Sequence, residues 1–265
     1  MKKTIGLIAL AVMLFLGGQA LAQTRSAFFL GASIPLKDYA EFDGFNKFAL
    51  TSTNVDDNDA AAGIGANVGF KWYFNVGVKG LGVMLSADGF YNGPNADLKT
   101  AYRERESNYD GQFIDGSFKY NTKPQYFNVP IMLGLNYIYH VNPSFGIYAE
   151  AGVGGNMRFI TKTETLEQGS LLDQVSLFNY RVITTQCYEM GFGFAYQAGI
   201  GIEVARNFVI GCSFYDLGKT KVKGEGTTFT RTTIGDNTST KTENSYNTFG
   251  TVHPMMILGR IAFCF

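Results

Sequence analysis

The C-terminal stretch Tyr246–Phe265, YNTFGTVHPMMILGRIAFCF, is the part of the chain whose reading decides the fold. Read backwards at every second position, it gives Phe265, Phe263, Ile261, Gly259, Ile257 and Met255. The alternate positions include Cys264, Ala262, Arg260 and Pro254. Side chains alternate across a strand, so one face is apolar and ends in aromatics while the other carries a charge. That alternation also fits a soluble sheet with one wet face. The opposite end of the chain, together with further runs of the same kind, decides between the two.

The N-terminus reads MKKTIGLIALAVMLFLGGQALAQ, with Lys2 and Lys3 ahead of an apolar run from Ile5 to Leu16 and small residues at Ala20 and Ala22. These are the parts of a secretory signal peptide, so residues 1–22 are expected to be cleaved after Ala22, leaving 23–265 as the mature chain. The apolar run falls short of the ~20 residues a spanning helix needs. No cysteine follows the cleavage position, so a lipid anchor is not indicated. Nothing later in the chain is apolar for long enough to span as a helix, yet the composition holds Gly 32, Phe 23 and Tyr 15 with only 17% charged residues. Such a mixture suits a barrel wall facing lipid around a crowded interior. A formal net charge of +0 gives no support to a nucleic-acid partner. The cysteines, Cys187, Cys212 and Cys264, fall on separate runs, and no structural disulfide is expected.

In chain order the alternating runs are Ala27–Ile34, Ala61–Phe74, Leu81–Tyr91, Phe127–Tyr139, Phe145–Phe159, Glu189–Val204, Phe208–Leu217 and the C-terminal stretch. The fourth is the cleanest, with Phe127, Val129, Ile131, Leu133, Leu135, Tyr137 and Tyr139 on one face and Asn128, Pro130, Met132, Gly134 and Asn136 on the other. A period of two excludes helix. Short links (Asn75–Gly80, His140–Ser144, Ala205–Asn207) alternate with long polar ones (Lys37–Asp59, Asn92–Lys123, Thr161–Thr185, Lys219–Ser245). Outer-membrane barrels show this asymmetry, with short periplasmic turns, long extracellular loops and both ends in the periplasm. The expected fold is therefore all-β, an eight-stranded antiparallel up-and-down transmembrane barrel. Its lipid-facing set includes Phe70, Trp72, Val129, Leu133, Tyr137, Phe194, Ile200 and Phe263. In the last long link, threonine-rich arms flank Gly235, Asp236 and Asn237, a good turn, which predicts a hairpin reaching beyond the membrane.

Four segments carry a family resemblance: the ALA-Q cleavage site, YFNVPIMLGLNY (Tyr126–Tyr137), CSFYDLG (Cys212–Gly218) and the closing FCF. Together they resemble the PorT-like outer-membrane barrels common in Bacteroidetes. The resemblance implies a place in the outer membrane and a terminal strand, through Ile261, Phe263 and Phe265, that the barrel assembly machinery recognises. It also implies one alternative role, since PorT is associated with a protein secretion system. The partners implied are outer-membrane lipid, the assembly machinery and an extracellular or envelope protein.

The residues that could carry chemistry are few. The histidines are His140, in an expected turn, and His253, on the lipid-facing side among Phe249, Met255 and Ile257, with no nucleophile motif beside it. Asp56, Asp57 and Asp59 cluster but lack the glycine and final glutamate of a calcium loop. No catalytic residue, metal or cofactor is expected. On the inward faces, however, lie Lys71, Asp88, Glu150, Glu203 and Arg260. Counting from the turns puts Lys71, Glu203 and Arg260 toward the periplasmic side and Asp88 and Glu150 near mid-height. Opposite charges gathered in a narrow lumen should pair, because burying one alone is costly. Inward glycines such as Gly191, Gly199 and Gly201 leave room either for water or for Tyr73 and Tyr148. Two readings follow: a scaffold that displays its loops, or a narrow passage for small solutes.

Overall fold

A strand with two differently solvated faces needs a partner on each edge, and the alternating runs find theirs by closing on themselves. In the computed structural model, the residues described are 24–36, 40–41, 62–94, 96–107, 114–173, 176–234 and 238–265. The expected signal peptide, the Asp56, Asp57 and Asp59 cluster and the hairpin tip at Gly235, Asp236 and Asn237 lie outside them. The elements are β1 (Thr24–Pro35), β2 (Ala40–Glu41), β3 (Ala62–Asn75), β4 (Leu81–Pro94), α1 (Ala96–Ser107), β5 (Ile114–Thr122), β6 (Tyr126–Asn142), β7 (Phe145–Ile160), β8 (Thr163–Asp173), β9 (Ser176–Tyr188), β10 (Gly191–Val204), β11 (Phe208–Asp216), β12 (Thr220–Ile234), β13 (Thr238–Val252) and β14 (Met255–Cys264).

Eight of these strands form a closed antiparallel barrel in the order β1, β14, β11, β10, β7, β6, β4, β3. Closure joins the two ends of the chain: Ala27 pairs with Cys264 and Phe29 with Ala262. Ser26 N–H donates to the Phe265 carbonyl at 3.0 Å, and Phe265 N–H returns the bond at 2.9 Å. No edge remains to be satisfied in the barrel wall. The short turns stand at the same end as the termini. Residues 76–80 link β3 to β4 with Gly77 and Gly80 at positive φ, which glycine adopts without a steric penalty. The link read as His140–Ser144 is shorter than expected, because β6 runs on through His140 to Asn142 and pairs it with Phe145. Main-chain hydrogen bonds to β7 carry the strand past the point where apolar alternation stops.

At the other end the long links continue the sheet. Six strands make a second layer in the order β2, β13, β12, β9, β8, β5, with α1 in contact with β5. The expected hairpin is present: β12 and β13 pair from Thr220 with Val252 to Ile234 with Thr238. The hairpin β8–β9, the strand β5 and the helix α1 were not expected from the sequence.

The outer wall is apolar. Leu133, Tyr137, Phe194, Ile200 and Phe263 are exposed, at 56%, 46%, 66%, 67% and 47%, too much apolar surface for contact with water. Phe70 and Trp72 share this side but are half-buried, because their rings pack against each other, tilted, with centroids 4.5 Å apart, and Phe70 meets Phe265 at 5.9 Å. Phe263 in turn packs on Phe208 at 5.5 Å. The terminal aromatics thus belong to an aromatic girdle at the turn end.

Candidate functional site

The inward residues of β3, β4, β7, β11 and β14 converge on one buried cluster. Glu150 on β7 is its centre: one carboxylate oxygen accepts from Lys71 Nζ at 2.5 Å and from the Arg260 guanidinium, with all three side chains fully buried. Tyr73 OH lies 3.5 Å from its other oxygen. Arg260 donates to Tyr215 OH at 3.2 Å, and Tyr215 OH donates to Asp88 at 3.1 Å. Below both cations lies the Phe29 ring, 5.0 Å from Lys71 Nζ and 4.8 Å from the Arg260 guanidinium. Two cations and two carboxylates balance, which is the condition for burying such groups at tolerable cost.

The strand pairing shows how so much charge fits. Arg260 stands opposite Gly31 on one side and Gly211 on the other, and Glu150 stands opposite Gly199. A Cβ at Gly199 would come within 3.0 Å of the Glu150 carboxylate and 3.2 Å of Arg260. At Gly201 it would meet the Tyr148 ring at 2.5 Å. The inward glycines therefore make room for large side chains.

Of the five charges singled out in the sequence, Lys71, Asp88, Glu150 and Arg260 come together and Glu203 does not. Glu203 sits at the turn end, where it is bonded to Arg25 and lies 3.4 Å from His140 Nε2. Arg25 also donates to the Arg206 carbonyl at 2.5 Å. This second group lies beside an open vestibule of about 630 Å³ lined by Arg25, Tyr73, Asn75, Gly82, Asn136 and His140. Deeper in, between Tyr148, Glu203 and Cys264, the space shrinks to about 10 Å³. The expected heights also need correcting: Lys71 stands four residues before the end of β3 and Glu150 five residues after the start of β7, so the two belong at one level, where they touch, while Glu203, one residue before the end of β10, belongs at the turn end.

A third group closes the end nearer the second sheet. Arg158 on β7 donates to Asn128 at 3.2 Å and to the carbonyls of Val252, Leu217 and Gly218 at 2.9, 3.2 and 3.1 Å. It thereby pins the corners where β11 passes to β12 and β13 to β14. The sequence placed Arg158 on the inward face but gave no sign of this role, because three of its partners are main-chain carbonyls. Arg25 was missed because it precedes the first alternating run.

On the outer side, His253 has a partner the sequence did not reveal. Its Nε2 lies 3.0 Å from Asp216 Oδ1, and Tyr196 OH donates to Oδ2 at 2.6 Å. Gly218 N–H holds the same carboxylate at 2.8 Å. A histidine oriented by a carboxylate is half of a nucleophile-activating pair. Among the described residues, no hydroxyl or thiol is hydrogen-bonded to this ring. The cysteines Cys187, Cys212 and Cys264 are free thiols.

In hydrocarbon every backbone polar group must be paired internally, which leaves helices and closed barrels as the structures that span it. This barrel is closed, antiparallel, even in strand number, apolar outside and girdled by aromatics. It is an outer-membrane β-barrel. No protein-family model matches the chain, and neither does any curated protein. Among solved structures it is similar to the outer membrane protein OprG from Pseudomonas aeruginosa, at 11% identity and a TM-score of 0.40, covering 91% of this chain and 95% of that one. It is also similar to Ail, the attachment invasion locus protein of Yersinia pestis, at 17% identity and a TM-score of 0.32, covering 91% and 98%. A third is Neisserial surface protein A, at 10% identity and a TM-score of 0.29, covering 91% and 95%.

Proposed function

We propose that the protein is a closed structural or binding scaffold of the bacterial outer membrane, its barrel anchoring a sheet that stands outside the cell. The observation that carries this reading is the lumen cluster of Lys71, Glu150, Arg260, Tyr215 and Asp88, each at most 5% exposed. With Arg158 above it and the Arg25–Glu203 pair below, the barrel is blocked at three levels. An eight-stranded barrel is only wide enough for its side chains to fill. In this reading the termini and short turns are periplasmic, as the asymmetry of link lengths suggests. The lipid of the outer membrane and the barrel assembly machinery are the partners of the wall, the machinery reading Ile261, Phe263 and Phe265. An extracellular or envelope protein is a further partner the sheet could hold. The finer placement among PorT-like barrels rests on YFNVPIMLGLNY and CSFYDLG. That placement keeps open an accessory role in a protein secretion system.

The test is conductance of the refolded protein in planar bilayers. Little or none is expected from the unmodified barrel, with openings appearing in Arg260→Ala or Glu150→Ala. A large, stable conductance unaltered by either substitution would reject the scaffold and promote a narrow channel. The roughly 630 Å³ vestibule at the turn end is what favours that second reading.

A further inference from the structure

The second sheet carries an arrangement that strand pairing normally avoids. Arg231 on β12 stands directly opposite Lys241 on β13 and, on its other side, directly opposite Arg181 on β9. Direct partners in antiparallel strands point to the same face, so three cations form one straight row across three strands. Like charges directly opposite one another destabilise a sheet. All three residues are exposed, and the row runs on through exposed Gln168 and Ser117. The face is the one that also bears exposed Lys221 and Lys223, opposite the face that buries Val222 and Gln186. It therefore continues the outer side of the wall.

The rows to either side define what could lie along it. Nearer the barrel, Phe229, Ile183 and Leu166 form a half-exposed apolar strip, with Glu243 and Lys119 at its two ends. Farther from the barrel, Thr233, Asn179 and Ser170 present hydroxyl and amide groups. The cations recur at the inter-strand spacing of ~4.8 Å. They lie roughly 35 Å along β12 from Thr220 at the usual rise per residue, well clear of lipid headgroups at the rim of the barrel.

We infer that this row is a docking surface for an acidic polysaccharide, a stiff polymer with sulfate, phosphate or carboxylate groups on successive sugars. The anions lie along Lys241, Arg231 and Arg181, the apolar faces of the sugar rings rest on Phe229, Ile183 and Leu166, and ring hydroxyls bond to Thr233, Asn179 and Ser170. Guanidinium groups suit this task because their planar forks bind oxyanions in pairs of hydrogen bonds. An acidic peptide would satisfy the charges but has no use for an apolar strip beside a row of hydroxyl groups.

The inference rests on the scaffold reading for its place outside the cell, and the experiment separates the two. Purified full-length protein in a zwitterionic detergent is titrated with dextran sulfate, uncharged dextran and polyglutamate at low and at physiological salt. Dextran sulfate is expected to bind with an affinity that falls as salt rises, and uncharged dextran is not. The triple variant Arg181→Gln, Arg231→Gln, Lys241→Gln should lose at least about tenfold in affinity. Lys219→Gln, Lys221→Gln, Lys223→Gln, which removes the same charge nearer the membrane, should change it by less than about twofold. Equal losses in both triples would overturn the proposal, as would polyglutamate binding more tightly than dextran sulfate. In the unmodified protein, bound dextran sulfate should shield Arg181 and Arg231 from phenylglyoxal. Absence of shielding overturns the proposal without relying on any variant. Orientation is read separately, from protease accessibility of the sheet on whole cells.

Discussion

The barrel and the sheet beyond it are made of the same kind of strand and differ in what lies on each side. Along β14 burial alternates at every residue, outward Ile257, Ile261 and Phe263 exposed and inward Met256, Leu258 and Arg260 buried. Along β12 the alternation holds only near the barrel. From Thr227 to Thr230 four residues in succession are half-exposed. In the barrel, lipid on one side and a packed lumen on the other force each position to a definite chemistry. Along this stretch of the sheet both faces meet water, and threonine serves on either. Strand formation is thus common to both regions, while tolerance of substitution belongs to one.

That contrast can be broken most sharply in the lumen. Glu150→Ala leaves Lys71 and Arg260 buried without their shared carboxylate, and removing one partner of a buried ion pair costs about 3–5 kcal/mol. Urea unfolding in lipid vesicles, followed by emission of Trp72, the only tryptophan of the chain, should show a loss of that size. A loss under about 1 kcal/mol would mean that water already enters the lumen.

Next comes the wall. Leu133→Lys places a charge in the outward apolar band and should cost roughly 2–4 kcal/mol by the same unfolding measurement. Phe118→Lys, in the sheet, would not be a fair comparison, since Phe118 is buried. Cys187→Lys is, because Cys187 is exposed on β9. Equal costs at Leu133 and Cys187 would contradict the assignment of faces.

Arg158→Met tests the junction of the two regions. Four described acceptors lose a donor, and leaving such groups unpaired costs about 1–3 kcal/mol. Hydrogen exchange should quicken at the corner around Leu217 and Gly218 while the turn end stays protected. Uniform quickening would show that Arg158 holds the whole barrel and not the corner. Smallest of all, Cys187→Lys should shift stability by no more than about 0.5 kcal/mol. A larger loss would mean that the sheet is packed against something on that face.

The apolar alternation of β1, β3, β4, β6, β7, β10, β11 and β14 was enough to read eight strands, their inward and outward faces and the positions of the short turns, because a period of two needs only local sequence. The threonine-rich arms and a turn tripeptide likewise sufficed for the β12–β13 hairpin. The strands β8 and β9 were hidden because both of their faces are partly wet and their sequences carry little alternation; β5 does alternate, with Phe118 and Tyr120 buried between exposed Ser117, Lys119 and Asn121, but so short a run inside a long polar link gave no signal of its own. The lumen charges could be named from parity alone. Which of them meet was decided by how the strands are ordered around the barrel and by the reach of each side chain, which set Lys71 and Arg260 on Glu150 and leave Glu203, at the very end of β10, to Arg25 and His140. Tyr215, Arg158 and Asp216 acquire their roles only through partners on other strands, several of them main-chain carbonyls that no side-chain pattern reports. The row of Lys241, Arg231 and Arg181 likewise exists only once three distant strands are in register. Faces are decided by neighbours along the chain, and meetings between side chains by how the barrel closes.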